Sequence, residues 1–155
     1  MFSSLPGQIL MTFLISMVPV IELRGAIPFG VAHGLSIPVA VIASIVGNLV
    51  PVPFIILFIR KIFNFIRRHF PKVNSLITRL EARAEKKSDV VLKYAFWGLM
   101  ILVAIPLPGT GAWTGALVAA MLDMRMKKAL PAIAVGVIVS AVIVTIITYG
   151  VAALI

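Results

Sequence analysis

The chain has 155 residues, 61% hydrophobic and only 12% charged, with a mean hydropathy of +1.15 and a formal net charge of +9. A water-soluble domain of this length has too little interior to hide that much apolar surface, which leaves a single integral membrane domain over 1–155. Cysteine is absent, so disulfides, thiolate metal sites and cysteine nucleophiles are excluded together.

The first apolar run, 5–34, is longer than the ~20 residues that cross a bilayer, yet it is broken near its middle. The break runs from Pro19 to Pro28 and contains Glu22, Arg24 and Gly25. An apolar segment of half-spanning length lies on each side, which predicts a helical hairpin that enters the membrane and returns to the same face. The connector "HGLS" at His33–Ser36 has no Lys or Arg, as suits an exterior turn, and His33 sits at that interface. The first basic residue is Arg24, so no charged leader precedes the run and a cleaved signal peptide is not expected.

The second run, 37–59, reads as a transmembrane helix kinked by Pro51 and Pro53, with Asn48 inside it. Asn48 is a candidate to cap a hairpin tip or touch a ligand, and packing explains it equally well. The connector 60–93 is strongly basic. Ile59, Ile62, Phe63, Ile66 and Phe70 recur there at helical spacing opposite basic residues and His69, which predicts an amphipathic helix beside anionic headgroups. "RLEARAEKKSD" continues it as a solvated helical connector.

The third run, 94–122, repeats the design of the first. Its break, "IPLPGTGAWTG" from Ile105 to Gly115, holds two prolines and three glycines and predicts a second re-entrant hairpin. The fourth run, 129–155, reads as a transmembrane helix with Pro131 in its first turn. Asp123 beside Arg125 reads as a boundary ion pair.

Charge placement orients these elements. Thirteen of the fourteen Lys and Arg lie between Arg60 and Lys128, which puts 60–93 and 123–128 on the cytoplasmic side of a cell (inner) membrane. A third run that simply crossed would carry Arg125, Lys127 and Lys128 outside, against the rule. The basic stretch therefore reads as a membrane-side segment and not as a nucleic-acid site. Hairpin one then enters from outside and hairpin two from inside. The fold class expected is an all-α integral membrane protein, an inverted repeat of 5–59 and 94–155 with each half a hairpin followed by a crossing helix. Gly25-Ala26 followed by Gly47 in one half, against Gly111-Ala112 followed by Gly136 in the other, is a faint trace of that repeat.

The tips carry the chemistry. Each second half-helix starts at a tip with its positive dipole end at the midplane, and the "PGTG" of Pro108–Gly111 offers amides that a ligand can approach closely. Arg24 adds a permanent positive charge and Thr110 a hydroxyl, so a substrate with an anionic group is favoured. The carbonyl ends of the first half-helices suit a small cation, so the coupling ion is expected to be H+ or Na+, with no other cofactor. Glu22 is the sole acid inside an apolar run, at an insertion cost of at least ~2–3 kcal/mol, and is normally paired or functional there. Burial favours its neutral form and Arg24 its carboxylate; the sequence leaves open a proton carrier or a salt bridge that only braces the tip. Trp113 and Thr114 fit either a cavity wall or plain packing. Unpaired backbone at two tips must face protein or water, which predicts a homodimer. No H-E-x-x-H, G-x-S-x-G or intramembrane aspartate pair is present, so an enzyme is not expected.

"ELRGAIPFG", "GNLVPVPF" and "PLPGTGAWTG" together resemble the small multidrug export protein family over nearly the whole chain. That family is similar in layout to the DedA (VTT) membrane proteins, whose halves also carry broken hairpins with acidic and arginine residues. The resemblance places Glu22, Arg24, Gly25 and Pro28 in the first family motif, and Pro106, Pro108, Gly109, Thr110, Gly111 and Gly115 in the other. It implies secondary transport or export of a small amphipathic compound, or else a DedA-type lipid or lipid-carrier flippase or scramblase. The second hairpin here has no acid or arginine of its own. A non-transporting membrane scaffold is the third reading.

Overall fold

The computed structural model describes residues 3–79, 82, 96–107, 110–121 and 124–150. All the regular structure among them is helical: α1 Leu5–Met17, α2 Glu22–Ala32, α3 Ile37–Leu49, α4 Pro51–His69, a 3-10 turn at Pro71–Val73, α5 Phe96–Ala104, α6 Ala112–Met121 and α7 Met126–Tyr149. The solvated segment after residue 82, and Asp123 of the expected pair with Arg125, fall outside the described residues.

Length sorts the helices. At 1.5 Å per residue, α1, α2, α5 and α6 reach about 14–20 Å, short of the ~30 Å hydrocarbon core. Among the described residues, two stretches are long and apolar enough to cross: Ile37–Ile59, 23 residues at mean hydropathy 2.3, and Met126–Tyr149, 24 residues at 2.7. The first comprises α3 and the start of α4. Val50 between them keeps helical angles (φ −57°, ψ −47°), so Pro51 and Pro53 bend the helix without ending it.

The breaks are shorter than the prolines suggest. Val18 is extended (ψ 128°) because Pro19 follows it, and that ends α1. The chain then reverses through Val20 (φ 79°) and re-enters a helix at Glu22 (φ 49°). Gly25 and Pro28 therefore lie inside α2, not in the turn; Pro28 removes one ladder bond while the buried Leu23, Ala26 and Ile27 still hold the helix against its neighbours. In the second half, Pro106 likewise stops α5 at Ala104, and α6 begins straight after Gly111, so Gly115 is helical. Pro131 is interior to α7, which starts at Met126 instead of Ala129 and takes the second cytoplasmic-type cluster's Lys127 and Lys128 into its first turn.

Packing joins the elements in two groups. α1 packs on α2 and α3, and α2 on α3; α5 packs on α7, and α6 on both α7 and α4. α3 against α7 links the groups around a core that includes Leu23, Ile27, Val52, Leu99, Val103 and Ile133. Two close approaches set the helix spacing. A Cβ at Gly47 would strike the backbone carbonyl of Phe13, and one at Gly136 that of Met100. Phe13 and Met100 each lie four residues before the end of their helix, α1 and α5.

Candidate functional site

The two short turns meet. Glu22 follows the first reversal and is buried, 4% exposed. Its carboxylate lies against Gly111, where any Cβ would collide with both Oε atoms. The backbone N–H of Trp113, in the first turn of α6, donates to Glu22 Oε1 over a long 3.4 Å. Gly111 has φ +113°, so glycine is required there twice: for the backbone angle and for room beside the carboxylate. An acid at a helix N-terminus is where the unpaired amides and the dipole favour negative charge.

Arg24 does the complementary thing. One turn of chain places it beside the loop that ends α5, where Nη1 donates to the Leu107 carbonyl at 2.6 Å. Nη2 donates to Thr110 Oγ1 at 2.9 Å and to the Ile105 carbonyl at 3.5 Å. Thr110 Oγ1 in turn donates to the Leu107 carbonyl at 2.6 Å, with the Ile105 carbonyl also in reach, and accepts from the Leu107 N–H at 3.2 Å. A guanidinium supplies several donors in a fixed fork, which is what two carbonyls and a hydroxyl at a helix C-terminal end need. Trp113 closes the contact by donating Nε1–H to the Met17 carbonyl at the end of α1, 3.2 Å away.

Glu22 and Arg24 do not ion-pair with each other: each bonds to the opposite turn. A salt bridge bracing only the first hairpin is thereby replaced by a cross-brace between two hairpins. Of the residues singled out in the sequence, Glu22, Arg24, Thr110, Gly111 and Trp113 come together. Pro106 is half-buried in the same loop, and Gly25 packs beside Ile21 one turn into α2. Pro28 is further along α2, half-buried and away from these contacts. Pro108 and Gly109 fall outside the described residues. Asn48 is buried on α3, and its Oδ1 caps nothing. His33 is exposed, with Nδ1 2.8 Å from the Phe29 carbonyl, and His69 makes the equivalent contact to Phe65 at 3.0 Å.

The contributions that the sequence hid are backbone ones, the carbonyls of Met17, Ile105 and Leu107, because any residue type supplies them. A further feature adjoins the contact. An apolar groove of about 690 Å³ runs beside α4, lined by Met17 and Trp113 and, along α4, by Pro51, Phe54, Phe58, Lys61 and Phe65. The pattern of apolar spacing was visible in the sequence; the groove beside it needed the fold.

Short helices meeting through polar tips beside two membrane-length helices define an all-helical membrane protein. The chain belongs to the family described as "Putative small multi-drug export protein", which it matches over residues 22–143, a stretch that starts at Glu22, just past the first turn, and includes the second. That family name points to an export-type membrane protein, of the transporter class and not the enzyme class. Neither a curated protein nor a solved structure matches the chain.

Proposed function

We propose that the protein is an ion-coupled secondary exporter of small amphipathic compounds, built as a multi-pass inverted repeat in the inner membrane. The two hairpins, α1–α2 and α5–α6, dip into the bilayer from opposite faces and meet at its middle. The matching approaches of Gly47 to Phe13 and Gly136 to Met100 support the repeat, since equivalent glycines admit equivalent carbonyls in both halves. The observation that carries the reading is the reciprocal bonding of Glu22 and Arg24 to the other hairpin.

In this scheme the contact is a gate held shut by Glu22 in the cradle of Gly111 and Trp113. Protonating Glu22 weakens its attraction to the α6 N-terminus, the tips part, and Arg24 with Thr110 becomes free to hold an anionic group on the substrate. The coupling ion at Glu22 is a proton. Val20 and Leu107, 93% and 56% exposed at the tips, are covered by a second copy in a homodimer.

Proteoliposomes of the wild type and of Glu22→Gln, under a pH gradient, test it. Gradient-driven uptake of a fluorescent cationic or zwitterionic drug carrying an acid group is expected in the wild type and lost in the variant. Equal uptake by both removes Glu22 as carrier. The groove supports a second reading, a lipid flippase or scramblase: it flanks α4 and bears Lys61 ten residues beyond Pro51, about 15 Å along the helix and thus one leaflet away. Scrambling without gradient dependence selects that reading. Inactivity in both assays, with Glu22→Gln losing only stability, selects a scaffold.

A further inference from the structure

The groove beside α4 carries a charge where its spacing calls for an apolar side chain. Pro51, Phe54, Phe58, Lys61 and Phe65 line it and recur three or four residues apart, so they form one stripe along the helix. Phe54, Phe58 and Phe65 are all exposed on that stripe, and so is Lys61. Depth follows from the helix itself. Asn48 is the midpoint of the crossing stretch Ile37–Ile59. Pro51 lies about 5 Å beyond it along the helix and Lys61 about 20 Å, against a half-core of ~15 Å. The groove thus runs from near the bilayer centre to one leaflet's headgroups, with its lysine at phosphate level. Arg60, Lys61, Arg67, Arg68 and Lys72 follow at that level, and no Asp or Glu occurs between Glu22 and Glu81.

We infer that the groove seats one anionic phospholipid from the leaflet on the basic side, with an acyl chain along the α4 stripe and its phosphate at Lys61. An apolar length of one leaflet that ends in a cation matches such a lipid in both depth and charge. One lysine at the membrane surface favours an anionic over a zwitterionic headgroup about fivefold. Its four-carbon stem lies along the apolar stripe while the ammonium reaches the phosphate. Trp113 ties this lipid to the contact between the hairpins. Its side chain lines the groove, its Nε1–H donates to the Met17 carbonyl, and its backbone N–H donates to Glu22 Oε1. Met17 lines the groove as well, so a seated chain rests on both partners of that bond and holds the tips together. The site goes beyond the transport readings: this lipid is retained, not carried, so failure of gradient-driven uptake or of scrambling leaves it standing.

The chain's two tryptophans make the test direct. Trp97 is exposed, so Trp97→Phe leaves the fold intact and Trp113 as the sole indole. The full-length variant is reconstituted in phosphatidylcholine vesicles, and Trp113 fluorescence is followed as chain-brominated phosphatidylglycerol or chain-brominated phosphatidylcholine replaces part of the host lipid. The anionic lipid is expected to reach half-maximal quenching at about one-fifth of the mole fraction that the choline lipid needs. Adding Lys61→Gln is expected to bring the two curves together, while Lys72→Gln, on the exposed turn beyond α4, leaves the preference in place. Equal quenching by both lipids without either lysine change, as ordinary surrounding lipid gives, overturns the proposal. A preference that survives Lys61→Gln, or that falls as far in Lys72→Gln, marks diffuse attraction by the basic connector and overturns it too.

Discussion

Single residues at the two tips act as one unit. Arg24 holds Thr110 and two carbonyls, and Thr110 holds those carbonyls as well, so removing either leaves the other misplaced. Arg24→Lys and Thr110→Val are each expected to cost about 1–2 kcal/mol, and the double variant less than their sum by about 1 kcal/mol or more. Denaturation midpoints of the four proteins measure this; strict additivity would show that the guanidinium and the hydroxyl do not share a network. The sequence identified both residues, together with Glu22 and Gly111, because ionisable groups and glycines inside an apolar run are chemically out of place. It left their partners open. A salt bridge between Glu22 and Arg24 was one of two readings the sequence allowed; in the fold each bonds to the opposite turn, and the positive φ at Glu22 turns the chain between them.

Whole helices tell a similar story. Apolar run length picks out Ile37–Ile59, which the fold keeps helical and long and apolar enough to cross, since hydropathy is a property of composition. Helix ends within the broken runs were less legible. Gly25, Pro28 and Gly115 look like breakers, and each is carried inside a helix whose buried face outweighs the cost. Packing also ranks the glycines, which sequence alone cannot do. A methyl group at Gly47 meets the immovable backbone of Phe13, while one at Gly25 meets the γ2 methyl of the exposed Ile21. Gly47→Ala is therefore expected to destabilise by about 2 kcal/mol or more, and Gly25→Ala by under about 1 kcal/mol because Ile21 can rotate away. A thermal-shift series on the two variants checks the order, and the reverse order would refute the packing described here.

For the molecule as a whole, the decisive property is which side of the membrane each connector occupies. A chain without cysteine is its own blank for labelling, so single replacements report cleanly. Lys72 and Lys127, both exposed, are expected to react as cysteine variants with an impermeant maleimide from the same face, and His33→Cys from the opposite face. Labelling of Lys72→Cys and Lys127→Cys from different faces would mean that α5 and α6 together cross, and the opposed hairpins would be lost. The charge distribution alone carries this expectation. The contact between the halves was not readable, because it depends on backbone groups that every residue shares and on a chain separation of more than eighty positions between partners.

The carboxylate resting where a methyl group at position 111 would have to go has a historical corollary. Neither half of this protein is free to drift alone: a bulkier side chain at 111 is admissible only in a descendant that has already shortened or lost the acid at 22. Substitutions at these two positions should accordingly arrive together in lineages, with Gly111 as the gatekeeper of what the first hairpin is allowed to become.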